Sequence, residues 1–556
     1  MKKILNLIIN RLKQRKNYLF FTSVNLDKHI TYKHLMYYMR NLHILCDDKL
    51  PNIPISIVLA SNSILLKMIT FCYCFLAHVD LTLISMKLPI DAIANSILFA
   101  REANILIIDK RLESKLKEYE DEKKVSILEN FKVVKADSIL LIDISSFSIT
   151  SEPSLNRLLN KGINNVIRKC NQPGKVSILS PGTSKEPSII NVLYETFIKS
   201  IHVMSYFMGL KAGDRVAVIA PFEFFPSIFT LLGLLNGVHY LQPEEDIQSA
   251  EDYIDQFSSS VMKPEIVIIS SYHFKLIWDS ILLKVYGNKL MFRLSKTKLF
   301  NWVVKNAILR EISNTFGKTV KKVHILNEEL GTWCLDILRH SKIMFTSSYG
   351  FLEQGNFLAF KNPELFRHKD YFNKPGGTVL KEAPEYFERV GINKEDWILT
   401  QKDSNQVVGE LIVNTMSDLD PRTFGKRLAK SGDWVVEIKN IESQGDRKYI
   451  RILGRKSRNE INVKMSIDMA EKTMKDTILI RDCLLVKRGD THHLYVEPRK
   501  DVMNIHGIHS TELDGLILFL IKEVNKHAFI NITGYALLPF DRMRNAAGKL
   551  EYYTWK

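Results

Sequence analysis

IleProIleSerIleValLeuAla, residues 53–60, is short, rich in β-branched residues and nearly free of polar groups, and Ser61–Leu76 continues it with helical character. An apolar run of this length reads as a strand covered on both faces, the kind that a parallel sheet uses. The pairing recurs along the chain. AsnIleLeuIleIleAsp (104–109) precedes a charged helical stretch to about Lys123, and ArgValAlaValIleAla (215–220) and GluIleValIleIle (265–269) repeat the theme. Strands of this type separated by helices predict layered α/β structure with largely parallel sheet. The sequence contains no repeat of fixed period and no low-complexity tract.

After about residue 400 the pattern changes. GlyGluLeuIleValAsn (409–414), AspTrpValValGluIle (433–438) and TyrIleArgIleLeuGly (449–454) are short strand-like runs spaced by turns, which predicts a smaller β-rich unit. Beyond Arg455 come separate strand signals at CysLeuLeuValLys (483–487) and HisLeuTyrValGlu (493–497), and a helix signal over Glu512–Asn525. The charged stretch Arg455–Glu460 is the expected boundary. It divides the chain into residues 1–454, a large α/β body with a β-rich subdomain, and 455–556, a small α+β domain.

Composition narrows the class. The chain has 556 residues, 46% apolar and 25% charged, which excludes disordered and fibrous classes. Its six cysteines (Cys46, Cys72, Cys74, Cys170, Cys334, Cys483) form no C-x-x-C pair. That pattern suggests neither a zinc site nor a disulfide framework, and a reduced, cytoplasmic setting is the simpler reading. The N-terminal MetLysLysIleLeuAsnLeuIleIle is interrupted by Asn6, Asn10 and Arg11 and lacks a small-residue cleavage site. The most apolar windows, Met68–Ala77 and Phe224–Leu235, fall short of the roughly 18 residues of a membrane span, so no transmembrane segment is expected. A net charge of +16 invites a nucleic-acid reading, but the basic residues are dispersed and no run of five occurs. A solvated basic surface accounts for them, and no nucleic-acid partner is expected.

Five stretches carry chemistry. SerProGlyThrSerLysGluPro (180–187) follows a strand-like run, and its small and hydroxyl residues suit a loop around phosphate oxygens. ThrSerSerTyrGlyPheLeuGluGln (346–354) sets an aromatic ring near a carboxylate. SerGlyAsp (431–433), at the entrance to a predicted strand, offers an acceptor for two vicinal hydroxyls. GlyArg (454–455) and ArgAsnAlaAlaGlyLysLeu (544–550) complete the set. Taken singly, each also fits an ordinary turn, core tyrosine or surface acid.

Their order and spacing resemble the adenylate-forming superfamily: acyl- and aryl-CoA synthetases, the adenylation domains of peptide synthetases, and firefly luciferase. IleThrTyrLysHisLeu (30–35), GlyLeuLysAlaGlyAspArgVal (209–216), ProGlyGlyThrVal (375–379) and GlyGluLeuIleVal (409–413) are similar to further signatures, so the resemblance spans nearly the whole chain. It implies ATP-dependent activation of a carboxylic acid to an adenylate, then transfer to the thiol of CoA or of a carrier protein's phosphopantetheine. By the same resemblance Ser180, Gly182, Thr183, Ser184 and Lys185 hold phosphates, and Tyr349 with Gly350 meets adenine. Glu353 positions Mg²⁺, Asp433 binds ribose hydroxyls with Arg455 nearby, and Lys549 reaches in from a mobile C-terminal lid as the adenylation cation.

The sequence also departs from that pattern. Pro181 replaces a Ser of the phosphate loop, Lys185 a Gly, Ser188 the Lys and Ile189 the last Gly. Leu352 takes the usual Thr position before Glu353, PheGluPhePhePro (222–226) lacks the expected His, and Met465 stands where the thiolation loop has Gly. A catalytically impaired homologue that binds nucleotide or a partner is therefore the alternative. The acid site is expected between Phe222–Leu235, Ile325–Leu330 and the end of the Tyr349 strand.

Overall fold

A computed structural model describes residues 8–350 apart from 24–28, 48–54, 141–173, 180–188 and several shorter stretches, then individual strands between 359 and 455, then most of 467–538. The strand at the head of the chain's α/β pattern is Ser56–Ala60. Its side chains alternate between two cores: Ile57 and Leu59 face one, and Val58 and Ala60 face the other. This two-sided burial is why the run is continuously apolar. Ser56–Ala60 pairs in parallel with Asp80–Leu83 and Ile105–Ile108. The sheet has six strands, with Lys132–Lys135 at one edge and Lys175–Leu179 followed by antiparallel Ile189–Leu193 at the other.

A second sheet takes in 14 strands among the described residues. Its first half is parallel, in the order Leu19–Ser23, His239–Gln242, Arg215–Ile219, Ile266–Ser270, Lys322–Leu326 and Met344–Tyr349. From Met344–Tyr349 onward it turns antiparallel through Ala359–Lys361, Phe387–Arg389, Tyr449–Arg455, Arg427–Ile438 and Gln406–Thr415.

Helices Ile64–Ala77, Tyr194–Met208 and Pro226–Asn236 pack between the two sheets and contribute a large share of one core. Ile64–Ala77 is apolar on every side because it is buried on every side, which accounts for the Met68–Ala77 window. The Ser63 hydroxyl caps it by accepting from the Leu66 N–H at 3.3 Å. Pro226 opens the next helix and Gly237, at φ 77°, closes it with a left-handed turn that favours glycine. No helix among the described residues is long and apolar enough to cross a membrane.

Residues beyond 466 build a third sheet, Ile480–Arg488, Thr491–Pro498 and Ile532–Leu537, covered by Ile467–Lys475 and Ser510–Ala528 around its own core. It docks on the body along helix Ser271–Tyr286. Lys275 Nζ meets Asp482 at 2.8 Å, Arg499 meets Asp279 at 2.8 Å, and Lys475 holds the second Asp482 oxygen at 2.8 Å. Below them the His506 ring stacks on Phe292 with centroids 3.9 Å apart, its Nε2 contacts the Tyr286 carbonyl, and Val502 joins the body's core.

Candidate functional site

Tyr349 is the last residue of Met344–Tyr349, the strand at which the large sheet changes from parallel to antiparallel. Carboxyl ends of parallel strands are where open α/β sheets place ligands, because adjacent helices diverge there and leave a crevice. The Tyr349 hydroxyl donates to Asp433 Oδ2 at 2.5 Å. Asp433 is 7% exposed and Tyr349 is half-buried.

These two residues lie four strand steps apart along the sheet path, which at ~4.8 Å per step would separate them by roughly 19 Å if the sheet were flat. The contact therefore requires the antiparallel half to curl back over the end of the parallel half. Two bulges promote that curl. Glu410 pairs with Trp434 and Ile412 with Lys430, so Ser431, Gly432 and Asp433 stand opposite Leu411 alone. On the other edge Trp434 pairs with Gly454 and Val435 with Ile452. Bulges increase local twist and re-aim side chains. The sequence places Asp433 at a strand entrance, whereas the strand runs continuously over Arg427–Ile438 and the Ser-Gly-Asp segment is its bulge.

Arg455 ends Tyr449–Arg455 directly across from Asp433 in the strand register. Gly350 follows Tyr349 immediately. Ser180, Gly182, Thr183, Ser184, Lys185, Glu353 and Lys549 lie outside the described residues. The structure thus brings together Tyr349, Gly350, Asp433 and the backbone of Arg455.

Sequence reasoning missed two buried polar features. Lys67 and Glu223 form an ion pair at 2.6 Å with side chains 8% and 9% exposed, joining helix Ile64–Ala77 to the turn after Arg215–Ile219. An acid in the PheGluPhePhe run gave the only available signal. His324, fully buried, contacts the hydroxyls of Thr346 at 2.8 Å and Ser348 at 3.1 Å. Burial pushes its pKa down to about 3, so the ring is neutral. Among the described residues no three His, Cys, Asp or Glu side chains gather as a metal site.

No protein-family model matches the sequence, and no curated protein matches it either. Solved structures do match, over nearly the full length. A benzoate CoA ligase from Burkholderia xenovorans LB400 aligns with TM-score 0.65 at 11% identity, over 99% of both chains. The o-succinylbenzoate CoA synthetase MenE from Bacillus subtilis, in complex with ATP and magnesium ion, gives 0.62 at 14%, over 98% of each. The McyG A-PCP structure complexed with phenylalanyl-adenylate gives 0.60 at 11%, over 99% of this chain and 94% of that one. The fold is the one that these solved ligase and adenylation structures share. At these identities the likeness is one of architecture, and the chemistry has to be argued from the residues.

Proposed function

We propose that this chain uses ATP to convert a carboxylic acid to an acyl- or aryl-adenylate with release of pyrophosphate, then passes the acyl group to a thiol. The acceptor is CoA or the phosphopantetheine of a carrier protein. The observation that carries the reading is the Tyr349–Asp433 contact at the carboxyl end of the parallel strands. An aromatic face beside a carboxylate suits an adenine ring and the paired hydroxyls of its ribose. The ATP, magnesium and adenylate bound by the structural neighbours support the same class.

In this reading Tyr349 and Gly350 receive the base, and Asp433, with Arg455 across the strand, accepts hydrogen bonds from the ribose. Ser180, Gly182, Thr183, Ser184 and Lys185 surround the phosphates. Glu353 would hold Mg²⁺, which would supply charge neutralisation at the phosphate oxygens. Lys549, carried by the C-terminal domain of residues 455–556, stabilises the carboxylate and α-phosphate oxygens as they meet in line. That domain acts as a movable lid, so the cation is delivered for one half-reaction and withdrawn for the next.

Acid-dependent exchange of labelled pyrophosphate into ATP, screened over fatty, aryl and amino acids, tests the proposal. Exchange with at least one acid, lost in Lys549→Ala, is the expected result. Binding of AMP or ATP without exchange for any acid would favour the second reading, a nucleotide-binding homologue without catalysis. The altered phosphate loop, with Pro181, Lys185 and Ser188, is what favours that alternative.

A further inference from the structure

The parallel half of the large sheet carries an ordered row of side chains facing the inter-sheet core. Val218 pairs with Ile268, Ile268 with His324, and His324 with Thr346. Two aliphatic residues thus give way to a histidine and a threonine beside the tyrosine strand. A core position of this kind ordinarily takes another aliphatic side chain, because a buried imidazole must satisfy two ring nitrogens away from water. Here both are satisfied, and by the same neighbouring strand. Nδ1 reaches Thr346 Oγ1 and Nε2 reaches Ser348 Oγ.

An uncharged imidazole has one N–H and one lone pair, so it donates to one hydroxyl and accepts from the other. Thr346 and Ser348 are two residues apart and share a strand face, so the ring bridges them like a bracket. The bracket ends one residue before Tyr349, which points to the opposite face, toward Asp433. There the sheet loses its parallel partner and curls. Ser348 and Tyr349 pair with Phe360 and Ala359 on the antiparallel side, and the bracket adds a restraint on the strand end from the parallel side.

We propose that His324 is a positioning residue for the nucleotide site, bracketing Thr346 and Ser348 so that Tyr349 is held against Asp433. The proposal rests on the reading of Tyr349 and Asp433 as the nucleoside platform. His324 touches no substrate and acts through the tyrosine.

Two measurements on the full-length chain test it. In protein labelled with ¹³C at tyrosine Cζ, the Tyr349 signal is identified by its loss in Tyr349→Phe. It shifts in His324→Leu and in the gentler pair Thr346→Val with Ser348→Ala. Calorimetric titration with AMP then shows those substitutions weakening binding by about tenfold in the Tyr349 background and less than about twofold in Tyr349→Ala, which lacks the ring. An unmoved tyrosine signal in folded variants would overturn the proposal, as would an equal loss of AMP affinity in both backgrounds. Wild-type protein that binds no AMP or ATP would instead overturn the nucleoside reading, while the tyrosine signal still decides whether the bracket positions Tyr349.

Discussion

Tyr349 and Asp433, 84 residues apart in sequence, are joined by a 2.5 Å hydrogen bond from the phenol to the carboxylate. The bond closes the curled antiparallel half of the large sheet onto the final residue of its parallel half. Burial around Asp433 leaves little water to compete with it.

Removing that hydroxyl leaves the carboxylate short of a donor while keeping the aromatic face. Tyr349→Phe is expected to weaken AMP binding by about tenfold, the size of one hydrogen bond to a charged group. Tyr349→Ala also removes the stacking surface and is expected to cost a further ~1–3 kcal/mol. Calorimetry with AMP measures both, and equal affinities in the two variants would refute the assignment of the ring to the base.

The Lys67–Glu223 pair makes a separate forecast about stability. Breaking a buried pair from one side strands a charge, so Glu223→Gln or Lys67→Met is expected to lose about 3–5 kcal/mol. Replacing both with Lys67→Met and Glu223→Leu is expected to recover most of the loss. Urea unfolding of the three variants gives the comparison, and a double variant as unstable as the sum of the singles would rule this out.

Docking of the C-terminal sheet is expected to depend on Asp279. Its partner Arg499 is 6% exposed, so Asp279→Ala leaves a guanidinium without its carboxylate. Hydrogen exchange in Ser271–Tyr286 and Lys500–His506 should accelerate together, while Ser56–Ala60 stays unchanged. Faster exchange confined to one side of the seam would argue against a shared docking unit.

Acid should destabilise the fold through two histidines. Burial pushes His324 down to about 3, and burial with help from His29 and Arg215 pushes His239 down to about 4. In the unfolded chain both titrate near ~6.5. Above that pH both states are neutral and stability is unaffected by these groups. Below it the unfolded chain gains protons that the folded chain refuses, so stability falls by up to ~1.4 kcal/mol per pH unit for each ring. The fall continues until the folded values are reached. Urea unfolding at pH ~7 and ~5 should show a smaller drop for His324→Leu than for wild type. Equal drops would mean that His324 takes up its proton in the folded state.

Much of the body was legible in the sequence because its strands are buried on both faces. Burial on both faces makes Ile57–Ala60 and Ile105–Ile108 uniformly apolar, and local hydrophobicity is what a single sequence displays best. The charged helix Lys110–Lys123 and the C-terminal helix Ser510–Ala528 were readable for a different reason, an apolar stripe at helical spacing on otherwise polar sequence. Tyr349, Asp433 and Arg455 were recognisable as types in an order.

Their meeting was a different matter. Nothing local to Ser431-Gly432-Asp433 distinguishes a turn from a bulge; the partner strand, with Leu411 alone opposite three residues, makes the difference. His324 reads as an isolated polar residue until Thr346 pairs beside it, and Glu223 as a surface acid until Lys67 arrives from 156 residues away. Sequence alone determined where the doubly buried strands and the amphipathic helices it singled out lie, because that follows from hydrophobic period. Tertiary structure alone decided which polar groups share a buried space, because their partners come from distant segments and leave no periodic trace.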